Sequence, residues 1–414
     1  MITYEKFTLN NGLRVIFHKD SSTPLAVVNT LYDVGARDED SERTGFAHLF
    51  EHLMFGGSIN IPNFDGPLQK AGGSNNAFTN NDITNYYDVV PAQNIETALW
   101  LESDRMLSLA FTEKSLEVQR NVVIEEFKQR YLNQPYGNLW LELRPLAYTK
   151  HPYQWATIGK NIQHIEEASM QEVKDFFHTH YHPGNAILCI AGNLELDEVK
   201  RLVKKWYDDI PAREKKVRNL PQEPKQTEFR TKTIVQDVPS DLYVYAFKMV
   251  GRKENGYYEA DLISDILGRG QASRLIKKLK KELELVTDIN AYIMGSMDTG
   301  LLVVTIQPSD GVSLEQIDNV LWEVFNELKE KLVPQKELQK IINKFKTAKI
   351  FGEEGILNKA MSLCMHEWIG DIDLINTETE IYEKISSADI QRIAKQIFQK
   401  ENCSQLIIKA SKNG

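Results

Sequence analysis

The sequence predicts an α+β chain of two homologous domains, each a largely antiparallel mixed sheet with helices packed on one face. Three observations predict it. Strand-like and helical stretches mix without the strict alternation of a doubly wound parallel sheet. A strand, a glycine, a polar stretch, a helix and a second glycine turn occur in that order in each half of the chain. Between the halves, residues 211–233 are charged and proline-rich, with little apolar periodicity, as a linker would be. The expected domains are residues 1–210 and 234–414, joined by that linker.

The elements follow in order. An apolar strand runs over residues 27–35 and ends at Gly35, and a helix over residues 46–55 runs into Gly56 and Gly57. Two strands, residues 75–79 and 83–90, are joined through Asn80, Asn81 and Asp82, residue types that favour turns. Residues 115–131 and 335–350 have the period of long amphipathic helices. In the second half a strand ends at Gly251, and a helix over residues 257–267 runs into Gly268. A second pair extends the repeat. The strand at 185–193 with the helix at 196–207 matches the strand at 301–306 with the helix at 314–329, as a duplicated domain would.

Composition narrows the function. Of 414 residues, 42% are hydrophobic and 26% charged, as in ordinary globular proteins. The 58 acidic residues outnumber 49 Lys and Arg, which argues against a nucleic-acid binder or an anionic-membrane binder. No apolar run reaches the ~18 residues of a membrane span. The N-terminus has no basic start followed by an apolar stretch, so the chain as it stands is expected in the cytoplasm. A periplasmic or other location would require a signal already removed. Cys189, Cys364 and Cys403 are odd in number and far apart, which fits buried thiols better than a disulfide framework.

The sharpest chemical motif is His48, Glu51 and His52, an H-x-x-E-H pattern within the first helix. Helical spacing puts i, i+3 and i+4 on one face. Two imidazoles one turn apart share a divalent metal, and a carboxylate between them takes a proton from water, while Phe46, Leu49 and Leu53 pack the other side. A catalytic zinc needs a third protein ligand. Residues 117–127 supply Glu125 and Glu126. Val118, Val122 and Val123 mark the expected buried side of that helix, and Glu126 lies nearer to it than Glu125. His178, His180 and His182 alternate, but read better as a helix end carrying cationic residues. His18 and His366 stand alone and read as structural or surface residues. The Gly268–Gly270 turn lacks the lysine of a phosphate loop and is not a nucleotide site.

Several stretches in order then carry a resemblance. They are the strand at 27–35, His48-x-x-Glu51-His52, residues 72–79 (GGSNNAFT) leading to Asp82, Thr84 and Tyr86, and residues 119–126 (QRNVVIEE). After these come His151-Pro152-Tyr153 with Gly159, residues 181–186 (YHPGNA), Ala191-Gly192 and Ser273-Arg274-Leu275. With these features the chain resembles the pitrilysin/insulysin-type inverted zinc metallopeptidases, in the short-chain branch that includes mitochondrial processing peptidase. The resemblance spans nearly the whole chain and is strongest over residues 30–200.

The resemblance implies one zinc per chain held by His48, His52 and Glu126, with Glu51 as general base toward the attacking water. It implies that Asn76 and Ala77 belong to an edge strand that pairs with an extended substrate. Gln119 stands where many relatives carry a glutamate that supports a metal ligand; its amide still hydrogen-bonds a ligand but brings no charge. Lys280 and Thr287 stand where the family often has an Arg and a Tyr that grip the substrate. In short-chain relatives that part of the site comes from a second subunit.

The expected function is therefore a zinc-dependent endopeptidase acting on extended peptides or unfolded segments. The alternative is a zinc-holding peptide-binding or assembly subunit with little activity unless a homologous partner supplies the Arg and Tyr. A heterodimer is the expected assembly, with a homodimer as the other option. The second half is expected to be metal-free: aligning Gly268 with Gly56 puts Ala260, Ile263 and Ser264 at the positions of His48, Glu51 and His52.

Overall fold

The computed structural model describes residues 1–411. The chain forms two compact units. The first comprises Met1–Lys128, Trp155–Leu220 and Lys349–Thr377; the second holds Gln129–Gln154, Pro221–Ala348 and the chain from Glu378 onward. The division thus differs from a single break at residues 211–233, because each half of the sequence lends a segment to the other unit.

The first unit is built on strands β1 (Glu5–Thr8), β2 (Arg14–Lys19), β3 (Leu25–Tyr32), β4 (Ser74–Thr79), β5 (Thr84–Pro91) and β6 (Ala186–Gly192). They lie in the order β1-β2-β6-β3-β5-β4. Only β2 and β6 pair in parallel; the other neighbours are antiparallel. The second unit holds β7 (Arg230–Gln236), β8 (Leu242–Met249), β9 (Val286–Met294), β10 (Gly300–Pro308) and β11 (Cys403–Ala410), in the order β7-β11-β8-β10-β9. There, too, the one parallel pair is β7 with β11. The order β2-β6-β3-β5-β4 therefore recurs strand for strand as β7-β11-β8-β10-β9.

That topology corrects half of the expected repeat. The strand equivalent to β6 is β11, which pairs in parallel with β7 as β6 does with β2. The strand at 301–306 lies within β10, whose equivalent is β5. Sequence order misled here because both pairs read as strand then helix, whereas equivalence is set by hydrogen-bonding neighbours.

The helices of the first half are α1 (Phe46–Leu53), α2 (Asp65–Lys70), α3 (Ile95–Leu107), α4 (Glu113–Phe127), α5 (Leu139–Ala147), α6 (Ile162–Glu166), α7 (Met170–His180) and α8 (Leu196–Tyr207). Those of the second are α9 (Tyr257–Gly268), α10 (Leu314–Glu330), α11 (Gln335–Gly352), α12 (Ile356–Ile369), α13 (Leu374–Lys384) and α14 (Ser387–Ile397). Helix α12, from late in the chain, packs Ala360, Leu363 and Cys364 on Val27, Leu31, Ile187 and Cys189 of the first sheet. Helix α5, from early in the chain, packs Leu143 and Ala147 on Val244, Val303 and Leu406 of the second. In the second unit α9, α10 and α14 bury the other face against Tyr243, Tyr245 and Phe247. All three cysteines are free and buried. No helix among the described residues is long and apolar enough to cross a membrane.

Helices α1 and α9 start alike. Each follows a glycine with left-handed backbone, Gly45 (φ 92°) and Gly256 (φ 107°), a conformation that strains any residue bearing a Cβ. A Cβ on Gly45 would also meet the Ile158 carbonyl oxygen at 2.7 Å. Aligned on these starts, Glu259, Leu262 and Ile263 occupy the positions of His48, Glu51 and His52, one residue earlier than expected from the glycine turns. Glu259 pairs with Arg392 at 3.1 Å.

The proline-rich stretch is not loose. Within the first unit, Arg218 binds Asp38 at 2.6 Å and Asp33 at 2.9 Å. Within the second, the enclosed carboxylate of Glu223 accepts the backbone N–H groups of Thr149, Lys150 and His151 at 2.9–3.0 Å and meets Lys248 at 2.5 Å. Burial opposes the charge on Glu223, but these donors outweigh it and hold the carboxyl down at about 2. A group with a depressed pKa stabilises the fold above its unfolded value and loses that contribution as pH falls toward the folded one. Glu223→Ala, which removes the carboxylate from Lys248 and leaves three N–H groups without their acceptor, is expected to cost about 3 kcal/mol. Denaturant melts at pH 7 and pH 3 check this: the gap between wild type and variant should narrow at the lower pH, and an equal gap at both would contradict the assignment.

Candidate metal centre

Helix α1 is short and apolar on its packed side: Phe46, Leu49, Phe50 and Leu53 are buried. Its underside is fixed from below. Tyr86 on β5 donates its hydroxyl to the Phe50 carbonyl at 3.2 Å. Behind Tyr86 lies a fully buried guanidinium, Arg105 of α3, 4.4 Å from the rings of Tyr86 and Phe64 and 5.2 Å from Phe55. Glu102 neutralises it, one oxygen accepting from Arg105 Nε at 3.3 Å and from the Thr30 hydroxyl at 2.9 Å. Cation–π contact and a paired carboxylate are what allow a charge to remain buried there. Sequence reading missed this support; its only sign was a Glu and an Arg three apart on α3.

With that side packed, His48, Glu51 and His52 face outward together. The imidazole centroids of His48 and His52 are 4.9 Å apart. Helix α4 packs across α1 and brings in Glu126, whose Oε2 lies 3.3 Å from His48 Nε2 and 3.4 Å from His52 Nε2. One atom from each of the three residues falls within 4.8 Å of the others, and this is the one group of metal-competent side chains among the described residues. All three are half-buried.

Glu125 turns away: its side chain is 60% exposed and pairs with Lys128 at 2.8 Å. The reason differs in part from the expectation. Val123 is buried, but Val118 and Val122 are 47% and 44% exposed. The packed side of α4 is set by Leu116, Val123, Ile124 and Phe127, and Glu126 borders it through Val123. Gln119 lies two turns before Glu126, beside the end of α1; a Cβ on Gly56 would sit 3.7 Å from its Nε2.

Glu51 is 3.7 Å from His48 Nδ1. Burial raises its carboxyl, but the neighbouring His48 imidazole and the Thr79 hydroxyl prevail and hold it below the usual glutamate range. Thr79 ends β4, so the strand expected to receive substrate also touches the expected base. That contact was not foreseen, although Thr79 stands inside the motif that carried the resemblance. Burial disfavours charge on His48, yet its contact with Glu126 and the nearby Glu51 carboxylate push it up to about 9.

Asn76 and Ala77 lie on β4, an edge strand whose one neighbour is β5. The turn after it is held by Asn80 Oδ1, which accepts from the backbone N–H groups of Asp82 and Ile83. In the second unit Lys280, in a π-helical turn over Ile276–Glu282, pairs with Asp288 at 3.7 Å. Thr287 on β9 donates to the Gln307 carbonyl at 3.3 Å. Both are exposed. The three alternating histidines, two on the last turn of α7 and His182 just after it, are less basic than ordinary imidazoles, contrary to the expected cationic helix end. Burial pushes His180 down to about 4 and lowers His178 and His182, and like charges nearby add to the effect. His18 is buried, with Nδ1 2.7 Å from the Thr3 carbonyl, and His366 is buried as well.

Two nitrogens and a carboxylate oxygen on converging helices form a set that suits zinc, and an H-x-x-E-H helix opposed by a glutamate defines the inverted-motif metallopeptidase class. Residues 14–154 match the model described as Insulinase (Peptidase family M16), and residues 167–345 the Peptidase M16 inactive domain. The chain belongs to peptidase family M16. It is 28% identical over 412 residues to the zinc protease PqqE of Helicobacter pylori, covering 98% of this chain and 93% of that one. A probable mitochondrial-processing peptidase subunit beta of Arabidopsis thaliana is 28% identical over 211 residues, half of this chain and 39% of the relative. A solved protease from Helicobacter pylori superposes with a TM-score of 0.92 at 27% identity, covering 99% of this chain and 100% of that one.

A proton on His48 competes with any metal there. If His48 is a zinc ligand, which requires the neutral imidazole, zinc affinity should fall as pH falls below about 9, by roughly tenfold per unit for one displaced proton. Calorimetric zinc titrations at pH 7 in buffers of different ionisation enthalpy should show about one proton released per zinc. No release would contradict the assignment of the His48 charge.

Proposed function

We propose that the chain is a zinc-dependent endopeptidase that hydrolyses peptide bonds in extended peptides or unfolded segments. One observation carries the reading: a single oxygen of Glu126 stands within 3.4 Å of both imidazoles of an H-x-x-E-H helix. His48, His52 and Glu126 would hold one zinc, which when bound supplies Lewis acidity to water and to the scissile carbonyl. Glu51 takes the proton that the attacking water loses and delivers it to the amine nitrogen as the C–N bond breaks. The free edge of β4 at Asn76 and Ala77 pairs with the substrate main chain, which favours extended segments of varied sequence. Gln119 supports the ligand helices with an amide in place of a charge.

Lys280 and Thr287 favour a second element of the reading, in which full activity requires a homologous partner. Lysine supplies charge but not the bidentate fork of arginine, and threonine is shorter than tyrosine. The partner would then contribute the missing Arg and Tyr.

Three outcomes test this. His52→Ala should lose stoichiometric zinc by elemental analysis; retained zinc rules out the ligand set. Glu51→Gln should keep zinc and fold but lose roughly 10²–10⁴-fold in turnover of a quenched peptide, and comparable turnover would remove Glu51 as base. The purified chain should cleave slowly and accelerate when an Arg/Tyr-bearing homologue is added. If it is fully active alone and indifferent to such a chain, the two-chain element fails.

A further inference from the structure

Helix α1 lacks a capping side chain of its own, because its N-cap is Gly45. The N–H groups of a first turn need acceptors, and these are ordinarily supplied by a Ser, Thr, Asp or Asn at that position. Here the acceptor arrives from six residues upstream. Glu39 Oε2 accepts from Gly45 N at 2.9 Å, and Oε1 accepts from Ala47 N at 2.8 Å. Trp155 Nε1 donates to Oε2 at 3.0 Å and also bonds the Ala36 carbonyl at 2.9 Å. Glu39 and Trp155 are 8% and 4% exposed. Thr44, just before the cap, is fixed in turn: its N–H donates to His164 Nδ1 at 3.1 Å, and its hydroxyl accepts from Lys160 N at 2.9 Å.

We propose that Glu39 is a positioning residue for the metal centre, setting the axial position of α1 so that His48 meets Glu126. The inference rests on the zinc reading of the site. Ala47, whose N–H Glu39 holds, is the residue before His48, and the two carboxylate oxygens fix two successive levels of the same turn. An ordinary N-cap hydroxyl offers one oxygen for one N–H. The bidentate carboxylate, itself anchored by a buried indole, leaves α1 little freedom to rotate or slide. A displacement on the order of 1 Å at the first ligand matters because ligands need distances held within about 0.2 Å.

Glu39→Gln keeps the volume but turns an N–H₂ toward an N–H donor. Titration of the full-length chain with zinc alone, and the visible spectrum of the cobalt-substituted protein, read the site without any substrate. At a temperature where circular dichroism shows the variant folded, zinc affinity should fall about 10–100-fold and the cobalt bands should shift in position or intensity. On a peptide substrate, kcat should fall with KM little changed. A purely structural role would lower the melting temperature and leave the spectrum of the folded protein alone, so wild-type affinity and bands in folded Glu39→Gln overturn the proposal. If that variant does not fold, Trp155→Phe removes one anchor while keeping both backbone bonds. It should weaken zinc by about threefold with the same spectral change, and wild-type values there overturn the proposal equally. A wild-type chain that takes up no zinc would defeat the metal reading itself, whereas a wild type that binds zinc and is matched by Glu39→Gln defeats only the role of Glu39.

Discussion

One carboxylate oxygen facing two imidazoles is the constraint around which the first unit is arranged. Glu126 Oε2 lies almost equally far from His48 and His52, and neither helix can bring this about by itself. Helix α1 presents the imidazoles only because its opposite side is apolar and held by Tyr86, and α4 presents Glu126 only because Val123, Ile124 and Phe127 are buried. Bringing three polar groups together half out of water costs free energy. In the chain itself a proton on His48 offsets part of that cost; a divalent cation would offset more of it.

The buried Arg105 cluster belongs to the same arrangement. A guanidinium without exposure would be strongly unfavourable alone. Stacked against Phe64 and Tyr86 and paired with Glu102, it becomes a rigid block beneath the end of α1. The second unit repeats the sheet topology and the left-handed glycine start of its first helix without repeating the imidazoles. Duplication thus preserved what packing requires, and Glu259, Leu262 and Ile263 stand where the chemistry would be.

What was legible in the sequence was local. His48, Glu51 and His52 are close in the chain, so helical period alone converges them. The turn at Asn80 was readable from its side-chain chemistry, and Glu126 was favoured over Glu125 by adjacency to Val123. What was not legible depends on partners distant in sequence. Val118 and Val122 read as core from their type, yet among the described residues no element covers that flank enough to bury them. The histidines ending α7 read as cationic from position, but burial around His180 reverses the balance. The segments 129–154 and 349–377 joined the units opposite to their place in the chain, because α5 and α12 each supply an apolar face that only the other half's sheet could accept. Such pairing leaves no periodic trace.

The central claim is that His48, His52 and Glu126 form one zinc site. Anomalous diffraction at the zinc edge from crystals of the full chain tests it most directly. The account predicts one strong peak per chain, within bonding distance of His48 Nε2, His52 Nε2 and a Glu126 oxygen. A chain containing zinc but showing its peak elsewhere, or with Glu126 outside the coordination sphere, would contradict it.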